Sequence, residues 1–236
     1  MPSLRALLAL LLLLVAGPAL AQDSDTDTDA EEGGWGWGII SPQIEIEVRP
    51  LADGRVRDGR WSAVRVRLEN KGAATTGTLE MTQTTFEGKQ VQHTREVELP
   101  EGAKKDVLLY WRPESGRPER TVTYNAGRRS VSATFASRIV GEHNVMVGVI
   151  GDDAYGVNAV RDTWSGAVPG SRPTTPTYGE SRTVEVGLLE LPGVPDHERG
   201  FSSFDWVVWP EADPTAIRPE QIGALRDWVA DGGNLF

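Results

Sequence analysis

The chain has 236 residues, a net charge of −10, no cysteine and 39% hydrophobic residues, eight of them tryptophan. That is length enough for one or two domains with real cores, and the apolar content excludes wholesale disorder despite 26 glycines and 15 prolines. Without cysteine there is no disulfide framework, no zinc–thiolate or iron–sulfur site and no thiol nucleophile within these residues.

Residues 1–21 read as a secretory signal. Arg5 supplies the positive start, Ala6 to Ala16 is an apolar run, Gly17-Pro18 breaks it, and Ala19-Leu20-Ala21 is an A-x-A cleavage site before Gln22. The run is too short for a span, which needs about 20 residues, and a lipoprotein anchor is excluded without cysteine. Residues 22–38 follow as a tether. Gln22 to Gly34 carries six acids and no base and is expected to be solvated and self-repelling. Asp23, Asp25, Asp27 and Asp29 alternate like the start of a calcium loop, but the glycine and glutamate that complete an EF-hand are missing. Trp35 and Trp37 mark the return of hydrophobicity.

Charge divides the remainder. Residues 35–138 hold 17 basic and 13 acidic side chains, net +4; residues 139–236 hold 6 and 15, net −9. A boundary near Ile139 follows. The first part, residues 39–138, alternates apolar and polar residues with period two in Ile44–Val48 and Trp61–Leu68. Further strands are expected at Thr76–Thr84, Gln90–Leu99, Lys105–Trp111, Arg120–Tyr124 and Ser130–Phe135, with glycine-containing turns between them. About seven short strands at this spacing predict an antiparallel β-sandwich. Arg49, Arg55, Arg57, Arg60, Arg65 and Arg67 form the densest basic cluster. It reads either as a polyanion-binding surface or, better for so mildly basic a half, as the solvent face of strands with acids interspersed.

The second part, residues 139–236, changes rhythm. Asn144 to Ile150 is a continuous apolar run, as in a strand covered on both faces. A short helix over Val157–Trp164, a loop over Ser165–Glu180, strands at Thr183–Leu189 and Phe204–Trp209, and a helix from Pro219 to Asp231 follow. That helix places Ile222, Leu225, Trp228 and Val229 on one face. Asn234 to Phe236 opens another strand. The pattern predicts an α/β unit, and the whole an α+β two-domain chain.

Two resemblances accompany these patterns. Trp61 to Gly72, with Val-Arg-Val-Arg-Leu-Glu-Asn-Lys-Gly, resembles a strand and turn of bacterial immunoglobulin-like domains. Phe204-Asp-Trp-Val-Val-Trp-Pro210 followed by Ile222-Gly-Ala-Leu-Arg-Asp-Trp-Val-Ala-Asp-Gly-Gly-Asn-Leu-Phe236 resembles class I glutamine-amidotransferase-like domains of exported or membrane-anchored bacterial proteins. That resemblance covers Val145 to Phe236 and implies a flavodoxin-like α/β domain, truncated at its C-terminus. It also implies that the nucleophile elbow of active members, and the membrane anchor of exported ones, would lie beyond Phe236.

No catalytic residue is assigned. The weak ligand-binding candidates are Asp152 and Asp153 at the end of the first apolar strand, with Glu211 and Asp213 at the end of a second, because ligands gather outside the carboxyl ends of parallel strands. Each reads better as a turn or helix cap, since adjacent aspartates point in different directions and a metal would need a third ligand. His93, His143 and His197 have no partner at metal-ligand spacing, so no metal is expected. Gly148-Val-Ile-Gly151 lacks the third glycine of a dinucleotide loop, and there is no G-x-S-x-G elbow, so no cofactor is expected either. Trp206 and Trp209 are expected to pack core and helix, or else to offer a glycan-stacking surface. The reading that follows is an exported, periplasmic or envelope protein, a non-catalytic interaction or scaffold module whose partner is another envelope protein and not nucleic acid. The alternative is a periplasmic hydrolase or amidotransferase-like enzyme with its nucleophile beyond Phe236.

Overall fold

The alternation of the first half is met by two antiparallel sheets. The computed structural model describes residues 36–37, 43–85, 87–114, 118–154, 156–157, 159 and 183–236. The signal segment, the acidic tether up to Trp35, nearly all of the expected helix over Val157–Trp164 and the Ser165–Glu180 loop lie outside the described residues.

One sheet runs β1 (Gly36–Trp37), β2 (Ile44–Pro50), β4 (Ser62–Asn70), β7 (Lys104–Trp111). The other runs β6 (Gln90–Leu99), β5 (Thr75–Thr84), β8 (Glu119–Ala126), β9 (Arg129–Ala136). Ile44, Ile46 and Val48 of β2 face Leu79 and Met81 of β5 and Val122 and Tyr124 of β8 across one apolar core, closed at one end by Trp111 and Phe135. The period of two decides this: each inward residue is apolar, and its neighbours Glu45, Glu47 and Arg49 turn outward.

Between β2 and β4 the chain makes a left-handed turn. Ala52 and Asp53 have φ of 52° and 53°, and Gly54 has 77°. A non-glycine residue there costs about 1 kcal/mol, offset here by the burial of Leu51 and Ala52 to 4% and 1% exposure. The turn delivers β3 (Arg55–Arg57), which pairs in parallel with β10 (Arg138–Val140). This two-stranded ribbon joins the sandwich to a four-stranded parallel sheet of order β12 (Val184–Leu189), β11 (Val145–Ile150), β13 (Trp206–Val208), β14 (Asn234–Leu235).

The expected fold class is corrected at this point. The protein is a mostly-β fold of several sheets with one helix, α1 (Pro219–Ala230), and three short 3-10 turns among the described residues. These do not make a flavodoxin-like α/β domain. Such a domain has helix layers on its sheet faces; here one face, bearing Met146, Ile150, Leu189 and Val207, is packed by α1 together with Leu51, Ala52 and Ala63 of the sandwich half. The link from β12 to β13 runs through 3-10 turns at Leu191–Gly193 and Glu198–Phe201 instead of a crossover helix. Apolar strands identify a two-face-buried sheet, but not what buries it.

The face of α1 is also turned from expectation. Gln221, Ala224, Leu225 and Trp228 are buried, while Val229 is 38% exposed. Gln221 goes inside because its amide answers three backbone groups: Nε2 donates to Val194 O at 2.6 Å and Leu191 O at 3.1 Å, and Oε1 accepts from Arg218 N at 2.8 Å.

Candidate functional site

The sheet order sets the carboxyl ends of β12, β11 and β13 side by side, bringing Glu190, Gly151-Asp152-Asp153 and Trp209-Pro210-Glu211 to one edge. Asp152, Asp153, Glu211 and Asp213 are all exposed. Asp213 caps its own turn, with Oδ1 accepting from Thr215 N at 2.9 Å and Thr215 Oγ1 at 2.7 Å, and these two bonds hold its carboxyl below the usual range. Among the described residues no three histidine or acidic side chains come together as a metal site. His197 serves locally, Nδ1 accepting from Arg199 N at the start of a 3-10 turn. His93 meets the edge of the Trp61 ring, and burial pushes its pKa down. Trp209 packs partly buried beside the α1 core, but Trp206 is 37% exposed and stacks on Phe236 at 4.9 Å.

The residues that organise this region are not among the candidates the sequence offered. Glu190, at the end of β12, receives Arg49 Nη1 at 2.8 Å and lies 2.9 Å from Arg65 Nη2. Arg65 is almost fully enclosed, its side chain 4% exposed, with Asp106 a further 3.7 Å away. Arg67 pairs with Asp106 at 3.3 Å, and that bond raises its pKa. At the other end of the sheet Glu185 sits between Arg138 at 2.6 Å and Arg55 at 3.3 Å. Arg57 pairs with Asp205 and donates to Asn144 O at 2.6 Å, while Asp205 also accepts from Met146 N at 2.8 Å. Tyr110 Oη donates to Asp196 at 2.6 Å, and Ser202 and Ser203 donate to Trp61 O at 3.0 and 3.1 Å. Burial and the Asp196 carboxylate together push the Tyr110 phenol far up, so it stays neutral and serves as a strut.

The basic cluster is therefore neither a polyanion surface nor a plain solvent face. Four of its six arginines, Arg49, Arg55, Arg57 and Arg65, form one side of a seam along which the basic half holds the acidic half, while Arg67 pairs with Glu47 and Asp106 of its own half and Arg60 is exposed. No local signal marks Glu185 or Glu190, because their arginines lie 130 and 141 positions away for Arg55 and Arg49. The only sequence trace is the opposite net charge of the two halves.

The seam makes stability pH-dependent in a defined direction. Burial of the Glu185 carboxylate works to raise its pKa, but the bonds from Arg138 and Arg55 outweigh it and the net displacement is downward from 4.5. A carboxyl depressed in the folded state contributes stability above its unfolded pKa and loses it as pH falls through the folded value. Thermal melts should thus show a steeper loss of stability below about pH 4.5 for the natural chain than for Glu185→Gln. Parallel pH profiles would show that the pairs contribute nothing.

Comparison with known proteins adds little chemistry. A family model for a domain of unknown function, DUF8726, matches residues 43–138. No curated protein matches the chain. Among solved structures, the chain is similar to a cycloisomaltooligosaccharide glucanotransferase of Paenibacillus sp., complexed with cycloisomaltoheptaose, at 12% identity and a TM-score of 0.30. That match covers 82% of this chain and 27% of the other.

Proposed function

We propose that the protein is an exported component of the bacterial cell envelope, a non-catalytic scaffold or interaction module that presents its surfaces to another envelope protein. The observation that carries this reading is the seam. Arg49, Arg55, Arg57, Arg65 and Arg138 of the basic half pair with Glu185, Glu190 and Asp205 of the acidic half. The two halves spend their opposite charge on each other and so hold one another in register. Export is supported by the n-region, apolar run and A-x-A site in residues 1–21. Among the described residues no helix is long and apolar enough to cross a membrane.

Expression from Met1 with a C-terminal tag in a Gram-negative host tests both parts. Osmotic shock should release a chain whose intact mass begins at Gln22; retention in the cytoplasm with Met1 in place overturns export. A photocrosslinker at the exposed Glu220 of α1 should yield discrete adducts with an envelope protein. Only self-adducts, or none from any exposed face, would remove the scaffold reading.

A further inference from the structure

The outer sheet of the sandwich opens at one end. β5 and β8 pair through Thr78–Met81 with Val122–Asn125, yet both strands continue for three more residues, which the register would set as Thr82 opposite Thr121, Gln83 opposite Arg120 and Thr84 opposite Glu119. The inward positions explain the parting. Along β5 the inner face reads Leu79, Met81, Gln83, and along β8 it reads Tyr124, Val122, Arg120, so apolar residues that would draw the strands together give way to an amide and a guanidinium. Gln83 turns its Nε2 to Arg112 O at 2.9 Å. Arg120 lies over the Trp111 ring, 5.4 Å from its centroid, and donates from Nη1 to Glu119 O at 2.8 Å. Both are enclosed, at 4% and 7% exposure. The result is a cleft of about 350 Å³.

We infer that this cleft binds a short neutral saccharide. Its floor carries the two enclosed polar side chains, whose positions are set by the partners just named, so little ordering cost remains for a ligand to meet. Glu80 and Glu119 stand at its walls as acceptors for pairs of neighbouring hydroxyls. Thr82, Thr84 and Thr123 add hydroxyls that both donate and accept, on β-branched stems with few rotamers, while the Thr121 hydroxyl shares a hydrogen bond with that of Thr134 at 3.0 Å. Two carboxylates against one guanidinium leave the cleft negative, which disfavours phosphate, sulfate and uronic acids. No apolar side chain lines it, which disfavours lipid tails and the hydrophobic anchors of peptides. The Trp111 ring is given over to the guanidinium, so recognition here rests on hydrogen bonds rather than on ring stacking. The site is separate from the seam, and its inference does not depend on export.

Saturation-transfer NMR on the full chain, with maltotriose, cellotriose and chitotriose as probes, tests this. At least one trisaccharide should bind, and Thr82→Val with Thr84→Val should weaken it about tenfold through the loss of two hydrogen-bonding hydroxyls. Both threonines are exposed, so these variants fold as the natural chain does and a thermal melt verifies it. Glu80→Gln should weaken binding further. No binding of any of the three, or binding equal in the natural chain and the threonine pair, overturns the inference. So does a site that takes up calcium or inorganic phosphate in preference to the sugars.

Discussion

Replacing Gly187 with alanine should cost the protein about 3 kcal/mol, the largest single-site effect expected here. Gly187 lies in the middle of β12, where the left-handed turn of the sandwich half presses on the parallel sheet. A Cβ at this position would stand 2.4 Å from the Cβ of Ala52, 2.7 Å from its Cα and 3.0 Å from its carbonyl oxygen. Two of those atoms are backbone, so no rotamer change can clear them, and either the turn or the strand must shift. For a chain of this size the loss corresponds to a melting point lower by about 6–12 °C. Gly223→Ala serves as the control, since an added Cβ there meets nothing within 4 Å and lies inside α1; it should leave stability unchanged or raise it by about 0.5–1 kcal/mol. Combining Gly187→Ala with Ala52→Gly removes the nearest of the three contacts and relieves a left-handed alanine. The double variant should recover part of the loss, a coupling that denaturant titration measures directly. Additive costs would mean that the turn and the strand do not press on each other.

Glu190→Ala should cost about 2 kcal/mol. The reason is the partner it abandons: Arg65 is 4% exposed, and without Glu190 its nearest remaining carboxylate is Asp106, at 3.7 Å. Breaking a buried pair commonly costs more than this, but Glu190 is itself 38% exposed and Arg49 keeps Glu47 at 2.6 Å, so water and a second acid compensate in part. Replacing both partners, Glu190→Leu with Arg65→Met, should restore most of the loss, because an apolar pair of similar size leaves no charge stranded. Urea titrations of the three variants check the order. If Glu190→Ala melts as the natural chain does, the seam is a consequence of docking and not a cause of it.

Gly187 and Glu190 hold the two halves together by different means. Gly187 reports on shape: a residue with no side chain is needed because a backbone turn from more than a hundred residues away lies against the strand. Glu190 reports on charge: its value comes from an arginine that the fold has removed from water. Neither position stands out along the chain. Gly187 sits in an apolar strand like Gly148, and Glu190 follows its strand as Asp152 follows β11, yet only Glu190 is met by cations.

Much of the sandwich was legible because period-two alternation is a local property. Ile44, Ile46 and Val48 must share a face whatever the rest of the chain does, and the turns between strands carry their own glycines; the expected strand at Gln90–Leu99 is observed with those bounds. The helix at Pro219–Ala230 was legible for the same reason, from its proline start and its Asp231-Gly-Gly233 end. What buries a face is not local. The apolar run of β11 required cover on both sides, and helix layers were the expected cover, but part of that work is done by Leu51, Ala52 and Ala63 of the sandwich. Gln83 and Arg120 did leave a trace, as polar residues at inward-facing positions of two strands, though their meaning depended on the strands being neighbours. The sequence by itself determined most of the strands and their faces, the helix at Pro219–Ala230 and the opposite charge of the two halves, since each is settled by residues a few positions apart; the short strands β1, β3 and β10 carried no such signal. Only the tertiary structure decided that the arginines meet Glu185, Glu190 and Asp205, that Gly187 receives Ala52, and that two strands part over a polar floor. The contacts of the arginines with Glu185, Glu190 and Asp205 and of Gly187 with Ala52 join residues 47 to 148 positions apart, and side-chain chemistry acquires a partner only when the chain has brought one to it.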